Sequence, residues 1–305
     1  MPDKPKPYHA IVVGGGPAGL SAALWLARYR LRVRLFDRDD PRNKPAWAVH
    51  GYLGLNHVAP EELRRIGREQ AEGAGAELSP GTVERVKAEG GVFRVRLDDG
   101  REFSCRRLLI ATGLRDIIPE IPGLLDFYGS SVWHCPDCDG PGVEGMRVGV
   151  IGWGRQIAGF CMEMLTWTDR LTLLTHGHEP ELPERAANAL ERFRIPVDTR
   201  VISRLEGTGD CLERVAFADG RSQELDACFF HIAYGPGSPL PTQLGCKADQ
   251  DGILKVNREH RTSCPGVYAA GDITPGSKLA MRAAADGVRA AIGIYRSLLP
   301  RERRV

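Results

Sequence analysis

Long apolar runs, an excess of charge and dense cysteine are all missing from this sequence. A membrane-crossing helix needs ~20 consecutive apolar residues, and no such run occurs. The N-terminal apolar stretch "AIVV" stops at Gly14, too short for the core of a signal peptide. Lysine and arginine (41) nearly balance aspartate and glutamate (39), and a net charge of +2 makes no demand for a nucleic-acid partner. Eight cysteines in 305 residues are too few for a disulfide-scaffolded secreted domain. The expected compartment is therefore cytoplasmic, with neither membrane nor nucleic acid among the partners. A close cysteine pair there signals redox chemistry or a metal.

A hydrophobic share of 42% in a chain of this length suffices for two packed domains. "YHAIVVGGGPAGLSAALWLARYRLRVRLFDRD" reads as strand, glycine turn, helix, strand. Leu20, Ala23, Leu24 and Ala27 recur at helical spacing before Val33 and Leu35 alternate. A second unit of the same order, "RVGVIGWGRQIAGFCMEMLTWTDRLTLLTHG", begins at Arg147. Each is followed by a helical stretch and by alternating strands that turn at Asp99-Gly100 and Asp219-Gly220, matching hairpin signals. The plan thus occurs twice, an internal repeat of a domain. The expected fold class is α/β, with two doubly wound Rossmann-like domains, the second inserted into the first. Residues 1–116 and 245–305 form the discontinuous domain and residues 117–244 the continuous one.

Gly14-x-Gly16-x-x-Gly19 follows a strand and opens a helix, the context a dinucleotide site requires. Gly14 permits the tight turn, Gly16 lets a pyrophosphate approach, and Gly19 permits close helix–strand packing. Pro17 and Ala18 lie inside the motif, and Asp37 ends the second strand, where a carboxylate meets a ribose. "GVYAAGDI", with Gly271 and Asp272, resembles the segment that holds the ribityl chain in two-dinucleotide flavoproteins. "LLIATG", with Ala111, Thr112 and Gly113, resembles their other recurring strand-turn. The resemblance implies FAD in the discontinuous domain.

Cys135-x-x-Cys138 could hold a metal or act as a dithiol. Structural zinc wants four ligands, but there is no second pair. His176 and His178 fall on a different expected loop, and His134 is badly placed for the same tetrahedron. The pair is read as redox-active, with no metal site. The other six cysteines, at 105, 161, 211, 228, 246 and 264, are isolated and read as small buried apolar residues.

The FAD motif, "IATG", an inserted domain carrying Cys135-Pro-Asp-Cys138-Asp139-Gly140, and terminal "AAGD" together resemble the low-molecular-weight thioredoxin reductases over almost the whole chain. The resemblance implies that Cys135 is the interchange thiol, that Cys138 exchanges electrons with the flavin, and that Asp139 handles the thiol protons. Asp139 also reads as a helix N-cap, and the two roles are compatible. The resemblance further implies a homodimer and a thioredoxin-like or small dithiol/disulfide partner.

The second glycine turn departs from the family pattern. Gly152 and Gly154 are in place, but the third small position is Ile157. The arginine clamp that grips the NADPH 2′-phosphate is absent after "LTLLT", where Thr175, His176 and Gly177 stand, and no carboxylate ends that strand. NADPH is therefore doubtful, although Arg155 or Arg185 could compensate. "DDPRNKPAWAVHGYLG" resembles family branches without the NADPH motif: fungal dithiol oxidases that use oxygen, and bacterial members that include ferredoxin-driven ones. On that resemblance Arg42 and Asn43 contact FAD; "KLAMRAAADG" departs from the family's usual Arg-Gln-Ala flavin contact, although Leu279 and Ala280 could still offer backbone N–H groups to its ring. His50 is read either as near the flavin or substrate, or as a hydrogen-bonded loop residue. A conventional NADPH-dependent reductase and an oxygen-using dithiol oxidase remain the alternatives, with a ferredoxin as a further partner.

Overall fold

A computed structural model describes residues 6–303 of the chain. They divide into two compact units: residues up to Lys44, Gly51–Arg115 and Gly235 onward in the first, Pro45–His50 and Asp116–Tyr234 in the second. The return crossing lies ten residues before the expected 245, and the hexapeptide Pro45–His50 groups with the second unit, which no local signal in the sequence announces. The connecting segments Leu114–Ile117 and Ala233–Pro236 pair as a two-stranded ribbon.

In the first unit, five strands run parallel in the order Glu77–Pro80, Val33–Asp37, Tyr8–Val13, Glu102–Ile110, Val267–Ala269. Val83–Glu89 and Val92–Leu97 extend this sheet antiparallel from Glu102–Ile110. Ile11, Val12, Leu109 and Ile110 are fully buried, as strands covered on both faces must be. Pro17 opens the helix Pro17–Arg28 at a position where its missing N–H costs nothing. The helix buries Leu20, Ala22, Ala23 and Leu26 against the sheet core that also takes in Ala290, Ala291 and Ile294 of the helix Ala280–Leu298. A Cβ on Gly287 would stand 2.0 Å from the Ala18 carbonyl oxygen, so these two helices touch backbone to backbone.

The second unit repeats the plan. Its parallel order is Val197–Asp198, Leu171–Leu174, Val148–Ile151, Ala227–Phe230, Val132–Trp133. Ile202–Thr208, Cys211–Phe217 and Ser222–Glu224 form a separate antiparallel sheet. Val148, Val150, Leu173 and Phe229 join Ile157, Cys161 and Met164 of the helix Ile157–Met164 in its core. The fifth strand differs in origin: the first unit draws it from late in the chain, the second from before its own first strand. In both, that strand leads straight into a candidate site, Gly271-Asp272 in one and His134-Cys135 in the other. No helix among the described residues is long and apolar enough to cross a membrane.

Candidate redox and dinucleotide site

Beyond Val132–Trp133 the chain folds into one helical turn, Pro136–Asp139, capped by Cys135 in an extended conformation. The Asp139 N–H donates to the Cys135 carbonyl at 3.2 Å. This turn sets the Cα atoms of Cys135 and Cys138 5.3 Å apart, and the two are joined as a disulfide. Both cysteines are half-buried. A Cβ on Gly140 would stand 2.6 Å from the Trp167 ring, so glycine lets the indole pack against the redox turn.

Asp139 precedes the short 3-10 turn Gly140–Val143 but makes no side-chain capping bond to it. Its side chain is 12% exposed, and burial pushes the carboxyl up to about 7. The Nε2 atom of His50 lies 3.9 Å from Asp139 Oδ1. His134, next to the disulfide, is held between the Tyr128 hydroxyl at 2.8 Å and Asp116 Oδ2 at 3.6 Å.

In the first unit, Gly14 has φ +108°, and a Cβ there would stand 2.3 Å from the Ala111 carbonyl oxygen. The glycine turn and the strand end Ala111-Thr112-Gly113 therefore touch directly. Gly19 is equally constrained, its would-be Cβ 1.8 Å from the Gly14 carbonyl oxygen. Gly16 and Gly113 are the opposite: nothing lies within 4 Å of where their Cβ atoms would stand. Gly16 caps the helix starting at Pro17, whose first-turn N–H groups have no intrahelical acceptor. Gly271 brings Asp272 against Ala18, its would-be Cβ 2.8 Å from Ala18 Cβ. Arg42 Nη1 lies 3.3 Å from Asp272 Oδ2, with Asn43 in the same turn. Lys278 Nζ donates to the carbonyls of Asp272 (2.8 Å) and Thr274 (2.9 Å), and burial lowers its pKa. Leu279 caps, and Ala280 opens, the helix that follows. At the end of its strand Asp37 accepts from Arg64 Nη2 at 2.6 Å. The open space beside Gly16 and Gly113, rimmed by helix N-termini and a placed carboxylate, fits a dinucleotide such as FAD.

The corresponding turn of the second unit is built otherwise. Its strand ends at Ile151 and the helix begins only at Ile157, against Val13 and Pro17 in the first unit. Trp153 to Gln156 take up the difference, and Ile157 N–H donates to the Gly154 carbonyl. The buried Ile157 folds under the turn, its Cδ1 2.5 Å from where a Gly152 Cβ would stand. The loop beyond Leu171–Leu174 reaches back over the turn: Glu181 N–H donates to the Trp153 carbonyl at 2.9 Å, and the Trp153 and His178 rings stack at 3.9 Å. His176 Nδ1 accepts the Ile202 N–H at 3.0 Å, and burial lowers the pKa of that imidazole.

The model of the pyridine nucleotide-disulphide oxidoreductase family matches residues 8–287. The chain belongs to this family. It is a flavin disulfide oxidoreductase of the thioredoxin-reductase-like kind. It is 28% identical to thioredoxin reductase aclD of Aspergillus oryzae, over 95% of this chain and 96% of that one. The solved structure of HlmI superposes with a TM-score of 0.91 at 35% identity, covering 97% of this chain and 93% of that one. The atypical thioredoxin reductase TRi of Desulfovibrio vulgaris Hildenborough is 30% identical, with a TM-score of 0.53 over 97% and 99% of the two chains.

Within this oxidoreductase, all the residues read from sequence as FAD contacts lie in the first unit, and Cys135, Cys138 and Asp139 lie together in the second. Two residues, Arg64 and His134, have site contacts that the sequence does not announce. Arg64, 6% exposed, holds Asp37; the signal was an Arg64/Arg68 pair one helical turn apart. His134 was weighed only as a zinc ligand, and nothing local marks the contact between His50 and Asp139. The cysteines also need correction. Cys105, Cys161 and Cys228 are buried, and burial pushes each thiol up to about 12. Cys211 is exposed, however, and Cys246 and Cys264 are not isolated: their side chains interact, and the Thr262 hydroxyl bonds Cys246 Sγ at 3.6 Å while accepting the Cys264 backbone N–H at 3.1 Å. Among the described residues, no group of three or more His, Cys, Asp or Glu side chains could hold a metal ion.

Proposed function

We propose that this oxidoreductase carries electrons between FAD on the first unit and the Cys135–Cys138 pair, then on to a thioredoxin-like protein or a small disulfide, without drawing on NADPH. The observation that carries the last clause is the closed second turn. A dinucleotide needs the glycine turn and the end of the next strand free for its pyrophosphate and ribose. Here the stacked Trp153 and His178 rings and the bond from Glu181 N–H to the Trp153 carbonyl span that gap. The delayed helix start and the absence of a carboxylate or arginine at Thr175–Gly177 support the same reading.

FAD, held by Gly14, Gly16, Pro17, Ala18, Gly19, Asp37, Arg42, Asn43, Ala111, Thr112, Gly113, Gly271, Asp272, Leu279 and Ala280, would supply two-electron exchange with the disulfide. The protein's own part is thiol chemistry. The Cys135 thiolate attacks a partner disulfide, releasing one partner sulfur as thiolate and leaving a mixed disulfide. Cys138 then attacks Cys135, re-forming the internal disulfide and releasing the second partner thiol. Asp139, half protonated near neutrality, takes the Cys138 proton. A ferredoxin is the donor class that fits a reductase without NADPH, and oxygen the acceptor if the flow runs the other way. A cytoplasmic homodimer completes this reading.

The test is anaerobic: mix the purified yellow protein with excess NADPH, then NADH, and follow the long-wavelength flavin band. The expected result is no bleaching with either nucleotide but full reduction by dithionite or a dithiol. Rapid bleaching by NADPH would overturn the reading of the second turn and make this a conventional NADPH-dependent reductase.

A further inference from the structure

We propose that His50 is the positioning and proton-sharing partner of Asp139. The inference rests on the reading of Asp139 as the group that handles thiol protons. His50 ends the hexapeptide Pro45–His50, the one piece of the described residues before Gly51 that groups with the second unit. The Trp47 ring packs edge-on against its imidazole, centroids 5.2 Å apart at 69°, which limits the ring's rotation. The His50 side chain is 21% exposed, and its Nε2 lies 3.9 Å from Asp139 Oδ1. That separation is too long for a direct hydrogen bond and suits an ion pair or a relay through one water.

The surrounding charges single out this contact. Asp137, on the same helical turn, and Glu163, on the helix Ile157–Met164, interact with each other, and both are acidic. His134 is engaged by Asp116 and Tyr128. Among the described contacts of Asp139, His50 is the basic side chain that answers it.

The proton accounting gives His50 its task. When Cys138 attacks the mixed disulfide, its S–H bond breaks and the proton passes to the Asp139 carboxylate. The new Cys135–Cys138 bond forms as the partner thiolate leaves and takes a proton from solvent. Asp139 must then release its proton before the next cycle, from a site where burial favours keeping it. A partly exposed imidazole beside the carboxyl accepts that proton and passes it out. A protonated His50 also favours the ionised carboxylate, so it should hold the Asp139 midpoint below where burial alone would set it.

The test reads the carboxyl itself in the FAD-loaded, oxidised protein. The infrared carbonyl band of protonated Asp139, isolated by subtracting Asp139→Asn, is titrated from pH 5 to 9 in wild type, His50→Gln and His50→Lys. The expected result is a midpoint raised by about half a pH unit or more in His50→Gln, and one at or below wild type in His50→Lys, which keeps a cation. Should His50→Gln fail to fold or lose its flavin, the comparison of wild type with His50→Lys and His50→Asn carries the test. Coincident titrations would overturn the inference. The underlying reading fails separately: if Asp139→Asn leaves the rate of flavin reduction by dithiothreitol unchanged from pH 6 to 8, Asp139 handles no proton. A slow Asp139→Asn with coincident His50 titrations strikes His50 alone.

Discussion

The two glycine turns of this chain sit on the same strand of the same five-strand plan, yet only one is open. In the first unit the helix begins at Pro17, directly after Gly16, and nothing lies within 4 Å of where a Gly16 Cβ would stand. In the second the helix waits until Ile157, an isoleucine fills the floor, and a stacked ring pair closes the rim. A sheet core depends on which residues it buries, and both units bury theirs fully. A ligand cradle depends on a few backbone positions that the core does not need. The glycine turn can therefore differ between the units while the fold is kept, and the second unit still presents a redox turn from the strand at its sheet's edge.

The largest expected effect lies at that redox turn. Cys135→Ser or Cys138→Ser should bring turnover of a disulfide substrate to background while flavin absorbance persists, because exchange needs both sulfurs. Retained turnover in either variant would move the chemistry elsewhere. Next come the glycines, where the two units should part. Gly19→Ala drives a Cβ into the Gly14 carbonyl and should cost ~2–4 kcal/mol in urea unfolding. Gly16→Ala meets nothing in the protein, so stability should change by less than ~0.5 kcal/mol while the flavin content of the purified protein drops sharply. Gly154→Ala, with its nearest neighbour at 3.9 Å, should change neither. If Gly154→Ala lost flavin and Gly16→Ala kept it, the contrast between the turns would be reversed.

The third effect is one of pH. Burial raises the Asp139 carboxyl from 3.8 to about 7, so the folded protein holds a proton that the unfolded chain releases. Stability should fall as pH rises from about 4 to 7 and level off above that. Asp139→Asn should remove this slope, gaining roughly 2–4 kcal/mol at pH 8 and nothing at pH 4 in urea titrations. An equal gain at both values would exclude the carboxyl as its source. The smallest effect should come from Trp153→Ala, which loses the stack on His178 for ~1 kcal/mol and leaves dithiol turnover intact.

Much of this was legible in the sequence because it is local. Glycine spacing, helical periodicity and paired Asp-Gly turns each lie within a dozen residues, and they located both sheets and the repeat. The Cys-x-x-Cys spacing likewise located the disulfide. What stayed hidden depends on contacts across long stretches of chain. Arg64 reaches Asp37 from 27 positions away. His50 meets Asp139 only because six residues leave the first unit, and no periodicity or composition marks that excursion. Cys246 and Cys264 meet only once the segment around Thr262 folds back. The return crossing fell at 235 and not 245 because proline and glycine mark the whole stretch as irregular without naming the residue at which packing changes sides.

The origin of the fifth strand carries one more consequence. In chain order the first unit reads one, two, three, four, five; the second reads five, one, two, three, four. The second unit is thus a circular permutant of the first. The ends of its main segment, at Asp116 and Tyr234, belong to paired segments, so that segment enters and leaves its host through a single doorway. Sealing that doorway with a short linker and opening the chain ahead of Arg147 would give this segment the first unit's strand sequence, and would move the disulfide from near the front of the cassette to its tail.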